Sequence, residues 1–146
     1  MYLNSLERHI VTTTIPVQVE YQQGKHIRQL IAFSDRRGLE ILSDMLLSDS
    51  DHFVQLTVLT SNPAQDDVAI LKHLRITPLN ALLNFQVEGD AMIITGNRES
   101  RRTAAEYIEY LRLQSSSIHG ADIHFSYFPG STYLCPDTIS LVICKL

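Results

Sequence analysis

The chain has no tryptophan, only two cysteines, and no apolar run near the roughly 20 residues that a membrane helix needs. Cys135 and Cys144 are too few and too far apart for a disulfide framework or a zinc knuckle. Cys144 falls in an apolar strand pattern, where a free thiol behaves as a small hydrophobe. Cys135 stands before Pro136 with no sequence-adjacent His or Lys to depress its pKa. Both read as structural filler. Glycine and proline are scattered as punctuation and form no low-complexity tract. Positive charge is in the minority, and a formal net charge of −4 argues against a nucleic-acid binder while suiting a basic protein partner. Met1 to Ile10 lacks the basic start and unbroken apolar core of a signal peptide, so a cytoplasmic location is expected, with no membrane partner.

What is present is a globular composition. At 45% hydrophobic and 19% charged residues over 146 positions, the chain reads as one domain, 1–146, able to bury a core without staples. Ile15, Val17, Val19 and Tyr21 alternate with polar residues as a half-buried strand, and Pro16 marks its start or an edge. Gln22 to Lys25 turns the chain into a second strand, Ile27 to Phe33. Ser34-Asp35 offers an N-cap to a helix whose Leu39, Leu42, Met45 and Leu46 form one stripe. Ser48 to Asp51 ends it. Phe53–Leu59 and Val68–Ile76 read as strands, with a loop at Pro63–Asp67.

The second half repeats the order. Phe85 and Val87 pass through Glu88-Gly89-Asp90 into Ala91–Thr95, a hairpin signal. Ala104, Tyr107, Ile108 and Leu111 line a second helical face, and Thr103 with Glu106 has the form of a capping box at its start. Ser115 to Ser117 and Gly120 close it. Ile123, Phe125 and Tyr127 alternate as a strand with Phe125 and Tyr127 on the core side and His124 with Phe128 opposite. Pro129-Gly130 turns the chain, and Thr138 to Lys145 is the last strand. Gln18-Val19-Glu20 answers Gln86-Val87-Glu88, and Arg36-Arg37 answers Arg101-Arg102. The pattern implies an α+β fold in two layers: an antiparallel or mixed sheet with two main helices on one face, in pseudo-duplicated β-β-α-β-β halves near 11–76 and 79–146. Thr77–Leu83 fits either a short helix from Pro78 or an extended link.

Chemistry is thinly signalled. The histidines His9, His26, His52, His73, His119 and His124 form neither an i, i+4 metal pair nor a Cys–His knuckle, so no metal site is read. No Gly-x-Ser-x-Gly elbow and no glycine-rich phosphate loop is present, so no catalytic residue and no cofactor is assigned. Arg36, Arg37, Arg101 and Arg102, near helix starts, are the candidates for an anion-binding alternative, against the reading that they simply reach into solvent. Asp66 and Asp67 are loop carboxylates that suit a basic partner surface as well as plain solvation. An exposed Phe128 beside His124 and a Pro-Gly turn has the make-up of a contact patch.

The segment from His124 to Gly130, followed by Tyr133, Leu134 and the run Pro136 to Ile143, resembles the C-terminal signature of a family of small immunity proteins of bacterial polymorphic-toxin systems, the thirty-second of that series. Tyr127, Pro129, Gly130, Leu134, Pro136, Asp137, Leu141, Val142 and Ile143 stand at the matching places. Ser126 stands where that family more often has aspartate, Thr138 replaces a serine, and Asp122 stands where a second histidine is expected. The resemblance implies a protein that binds a cognate toxin and occludes its active site without turnover or cofactor. Asp122, His124, Phe128, Tyr133 and Asp137, with Asp66 and Asp67, are then the candidate partner-binding residues. A small anion- or metabolite-binding domain and a homodimeric module pairing through a sheet edge remain the alternatives.

Overall fold

The computed structural model describes residues 13–58, 67–114 and 121–146. Met1–Ile10, Leu59, Pro63, Asp66, Ser115–Ser117, His119 and Gly120 lie outside the described residues, and so does what the sequence suggests at those positions. Among the described residues, ten strands and two helices follow in the order β1 (Thr14–Ile15), β2 (Val17–Gln23), β3 (Arg28–Ser34), α1 (Arg36–Leu47), β4 (His52–Leu56), β5 (Val68–Leu71), β6 (His73–Pro78), β7 (Asn84–Glu88), β8 (Ala91–Gly96), α2 (Arg98–Arg112), β9 (Asp122–Phe125) and β10 (Ser140–Lys145).

The α+β class is borne out, with the strands divided over two mixed sheets of five. Sheet 1 runs β1-β4-β6-β8-β7 and sheet 2 runs β5-β2-β3-β10-β9. The duplication is visible in the pairing. In sheet 1, β4 is antiparallel to β6, β6 parallel to β8, and β8 antiparallel to β7. In sheet 2, β9, β10, β3 and β2 repeat those directions. Each half therefore places its hairpin in one sheet and, β5 apart, its later strands in the other. The two halves interlock.

Two expected strands are each split by this exchange. The alternation from Ile15 to Tyr21 is interrupted at Pro16, where the chain leaves sheet 1 (β1) and enters sheet 2 (β2). Val68–Ile76 is not one strand either: it breaks at Lys72, crossing from β5 in sheet 2 to β6 in sheet 1. At that seam Lys72 N–H donates to the Asp90 carbonyl at 2.8 Å while its own carbonyl accepts from Leu56 N–H. Thr57 closes the other corner, its N–H on the Val17 carbonyl and its hydroxyl on the Ile15 carbonyl at 2.7 Å. Period-2 patterning survives such crossings because the apolar face stays turned to the same core.

Both helices are capped as polar side chains dictate. Asp35 accepts from Gly38 N–H, and Asn97 accepts from Ser100 N–H, each at 2.8 Å. The second helix thus starts at Arg98, five residues before the expected Thr103. Thr103 instead donates its hydroxyl to the Glu99 carbonyl inside the helix. Aligning the two caps also corrects the arginine correspondence: Arg36 matches Arg98, and Arg101 matches Leu39. Thr77–Leu83 is a link and not a helix: β6 continues to Pro78, the chain bends where Ala81 N–H donates to the Leu79 carbonyl at 2.9 Å, and Leu83 bridges to Leu134. The turn at Gly89 uses a φ of +61°, open to glycine without penalty.

The inner faces of both sheets and one stripe of each helix meet in one core that includes Leu30, Leu39, Leu74, Ile76, Phe85, Ile108, Leu111 and Phe125. Gly38 packs α1 against the Pro16 crossover. A Cβ there would lie 2.6 Å from the Pro16 carbonyl oxygen and 2.1 Å from Ser34 Oγ, which already hydrogen-bonds the Asp35 carbonyl. Gly38→Ala is accordingly expected to lower stability by about 1–3 kcal/mol in urea unfolding, because overpacking outweighs the gain in helix propensity. No helix is long and apolar enough to cross a membrane among the described residues.

Candidate functional site

The candidate partner-binding residues do not all come together. Asp122 and His124 sit two apart on β9, an edge of sheet 2, so both side chains leave the same face. Both are exposed, with His124 Nε2 3.4 Å from Asp122 Oδ1. Asp67 lies at the opposite edge of that sheet, beside β5, in a hollow with Tyr21 and Gln23. Asp66 lies outside the described residues.

The stretch after β9 is where the sequence reading and the structure agree best and also differ. Phe128 is 59% exposed on a turn that Ser131 N–H closes onto the Phe128 carbonyl. Gly130 takes a φ of +100°, which explains glycine at that place. Tyr127, expected on the core face, is instead exposed, because β9 ends at Phe125 and the alternation ends with it. Tyr133 is half-buried. Its ring lies 6.1 Å from Tyr107, which in turn stands edge-on to Phe125, and Phe125 meets Phe85 of the other sheet at 5.7 Å. A ladder of four rings thus leads from the core to the surface.

Much of the family-like motif turns out to hold the fold. Leu134 is fully buried. Leu83 N–H donates to the Tyr133 carbonyl, Cys135 N–H to the Leu83 carbonyl, and Ile139 N–H to the Phe85 carbonyl. Thr138 Oγ1 accepts from Phe85 N–H at 2.8 Å, and the Asp137 carbonyl accepts from Gln86 Nε2. This segment covers the outer edge of β7 and so removes an open edge from sheet 1. The Asp137 side chain itself is exposed.

The arginine pairs are placed at opposite ends of an antiparallel helix pair. Arg101 reaches the end of α1, and Arg112 feels Glu40 and Asp44 of the α1 outer face. Ser43 Oγ donates to the Ala105 carbonyl between them. Arg36, Arg37 and Arg102 are exposed, whereas Arg101 is 2% exposed and fully engaged. Its guanidinium donates to the carbonyls of Gly96, Leu46 and Ser48 and to Asp49 Oδ1. Arg101 is a cap for the C-terminal end of α1, where cations are favoured. The end of α2 finds another donor, Lys145 Nζ, on the carbonyls of Arg112 and Gln114. The four arginines do not converge on an anion site.

The surface that sequence reasoning passed over lies on α2. Tyr107, expected on the buried stripe, is 49% exposed, and Tyr110 and Leu113 follow it at intervals of three, each 66% exposed. Ala104, Ile108 and Leu111 already fill the core-facing arc, so a residue spaced three along from Tyr107 falls outside it. That was the signal available. Leu47 of α1 joins Tyr110 and Leu113 across a groove of about 430 Å³ lined also by Ser43, Ala105, Arg102, Glu106 and Glu109.

A second cleft of about 580 Å³ at the β1–β4 end of sheet 1 is lined by Thr13, Ile41, Met45, Asp51, His52, Phe53 and Arg75 among others. His73 stacks on Phe53 at 5.3 Å and bonds Asp90, while Arg75 lies over the same Phe53 ring. These are cross-strand pairs that hold the sheet face. Among the described residues no histidine bonds a Ser, Thr or Cys, and no three His, Cys, Asp or Glu side chains group as metal ligands. The chain matches no family model, no curated protein and no solved structure.

Titration follows the same geometry. Arg98, then Arg101, hydrogen-bond Asp49 and hold its carboxyl below the ordinary 3.8. Burial pushes the Cys144 thiol above 9.0 and the Tyr133 phenol above 10.0, with smaller contributions from Asp122 and Tyr107. A lowered carboxyl stabilises the fold above its unfolded pKa and loses that contribution as pH falls through the folded value. Raised groups do so below theirs and lose it as pH rises. Urea midpoints should therefore fall on both sides of a neutral plateau, with the alkaline fall beginning above pH 9. Cys144→Ala should flatten the start of that alkaline fall.

Proposed function

We propose that this chain is an immunity-type binding protein that holds a cognate bacterial toxin and occludes its active site. The observation that carries the reading is the ring ladder Phe85–Phe125–Tyr107–Tyr133, which anchors an aromatic surface in the core. Binding energy concentrates on aromatic side chains whose conformation is already held, since little entropy is lost when they meet a partner. Phe128 and Tyr127 stand exposed on the adjoining turn, and Asp122, His124 and Asp137 supply polar and acidic groups for the rim. The β9 edge carries Asp122 and His124, charged or polar side chains of the kind that discourage edge-to-edge pairing, which favours a foreign partner over a homodimer.

The test is co-expression with the toxin encoded beside this gene. Wild-type protein should restore growth and co-purify with the toxin in a stable complex. Phe128→Ala combined with Tyr107→Ala should weaken the complex at least about tenfold while leaving the circular dichroism spectrum unchanged. Failure of the wild-type chain to protect, or turnover by the isolated chain, overturns the reading.

A further inference from the structure

The two halves differ at one sheet edge. Val54 of β4 pairs with Leu74, and Leu74 with Met92; Phe125 of β9 pairs with Leu141, and Leu141 with Leu30. Met92 and Leu30 each stand five residues before their helix caps, Asn97 and Asp35. Val54 therefore corresponds to Phe125, Gln55 to Ser126 and Leu56 to Tyr127. In sheet 1 this edge is taken by β1, which runs parallel to β4 with Thr14 opposite Gln55 and Ile15 opposite Leu56. Gln55 N–H donates to the Thr13 carbonyl at 2.8 Å, and Thr14 Oγ1 donates to Gln55 Oε1 at 3.0 Å. By the same register Val19 corresponds to Phe85, and Ile15 to Ala81. Ala81 does not take up the matching place on β9. Asn97 N–H donates to its carbonyl and Leu79 N–H to the Gly96 carbonyl, so that stretch is held at the end of β8. Ser126 and Tyr127 are exposed, and their main chain makes no hydrogen bond among the described residues.

Two tyrosines register the difference. Tyr107 stands ten residues after Asn97, as Met45 does after Asp35, and Tyr127 corresponds to Leu56. Met45 is 7% exposed and Leu56 5%, whereas Tyr107 is 49% exposed and Tyr127 39%. Ile15 accounts for the contrast: it is fully buried, lies opposite Leu56 and lines one cleft with Met45. The spacing that puts Tyr107 and Tyr127 on the core side therefore describes an edge with a strand on it.

We infer that an extended segment of the partner adds to sheet 2 beside Ser126 and Tyr127, parallel to β9, in the place that β1 holds on β4. The inference rests on the partner-binding reading above and specifies the form of what is bound. Main-chain hydrogen bonds give such an added strand its affinity, and alternate side chains give it selectivity. At the Ile15 place the occupant carries a β-branched or other apolar residue, which covers Tyr107 and Tyr127. The residue before it matches Thr14 and is polar. Asp122 and His124 guard the earlier part of the edge, ahead of this slot. A second copy of this chain does not suit the slot through its own β9, because twofold pairing of one edge with itself runs antiparallel.

The probe is a capped peptide of about eight residues that alternates valine with threonine and carries lysine at both ends for solubility. Its counterpart is N-methylated at every valine, which removes main-chain donors and leaves the side chains intact. Added to the full chain at millimolar concentration, the first peptide should move the amide resonances of Ser126, Tyr127 and Phe128 most. It should slow hydrogen exchange at the Ser126 amide at least about tenfold. The N-methylated peptide should bind at least about tenfold more weakly. A spin label at the peptide's N-terminus should broaden His124 more than Phe128, as parallel pairing requires, and a label at its C-terminus should do the reverse. Ser126→Pro lacks the N–H that answers Gln55 and should weaken the peptide about tenfold, whereas Ser126→Ala retains it and should not. No binding, equal binding of the two peptides, shifts centred on the β5 edge or reversed broadening overturns the inference. Self-association that protects the Ser126 amide without peptide overturns it as well. The two readings fail separately. If wild-type protein protects against the toxin and Ser126→Pro protects equally well, the strand proposal falls and the immunity reading stands. If wild-type protein never protects yet the peptide docks in this register, the immunity reading falls and the strand proposal stands.

Discussion

Arg101→Met is expected to cost the fold about 3–5 kcal/mol, measured as the loss in urea-unfolding free energy. Methionine retains the apolar length of the stem but none of the donors. The carbonyls of Leu46, Ser48 and Gly96 would be left in a site where Arg101 is 2% exposed, with little access for water. Each unsatisfied buried carbonyl costs about 1–3 kcal/mol. Arg101→Lys should recover only part of the loss, since an ammonium is a point charge without the planar fork that reaches several acceptors. Asp49→Ala should cost much less. Its carboxylate is solvated and engages only one end of the guanidinium. If Arg101→Met proves neutral, the carbonyls at the end of α1 are being hydrated and the capping account is wrong. The position is instructive because Leu39 holds the corresponding place on α1 and is fully buried. One half of the duplication uses a hydrophobe there and the other a cation.

Phe125→Ala should cost a similar amount, about 3–5 kcal/mol, by the transfer and cavity terms together. Phe125 is fully buried and joins the two sheets through its contact with Phe85. A void of about 20 Å³ with no polar lining already sits beside it, so the truncated site would enlarge an existing space that water has no reason to enter. The loss should be functional as well as structural. Tyr107 leans edge-on against Phe125 and in turn supports Tyr133, so Phe125→Ala should loosen both rings. On the proposed function, toxin binding should then weaken even at temperatures where the variant is fully folded. Phe125→Leu separates the two effects. It restores most of the volume without the aromatic edge, so recovered stability with weakened binding would place the ladder in recognition. Full recovery of both would assign it to packing alone.

How much of this was legible beforehand depended on the range of the interaction concerned. Helix existence came from stripes such as Leu39–Leu42–Leu46, and the first cap at Asp35 came from a local side-chain-to-backbone bond. The second cap was misplaced because Thr103 and Glu106 satisfy the spacing of a capping box equally well. Asn97, the residue that does cap, stands directly after the end of a strand. Tyr107 was assigned to the core by its spacing, and only the packing of Ile108 and Leu111 shows that the arc was already full. Phe128 and His124 were expected opposite the core face and are exposed. Asp67 shares only its charge with them: it lies beside β5, and three strands of sheet 2, β2, β3 and β10, separate that edge from the β9 edge that carries Asp122 and His124.

By itself the sequence determined the α+β class, the repeated order of hairpin, helix and strands, and the turns at Gly89 and Gly130, since each depends on residues within a few positions of one another. Only the tertiary structure decided that the halves exchange strands at Pro16 and Lys72, that Arg101 is a buried cap, and that Leu47, Tyr110 and Leu113 share a groove. Alternation reports which side of a strand is dry but carries no record of which sheet the strand joins. That choice is made by hydrogen bonds between residues far apart in the chain, such as Leu56 with Lys72 and Ile139 with Phe85.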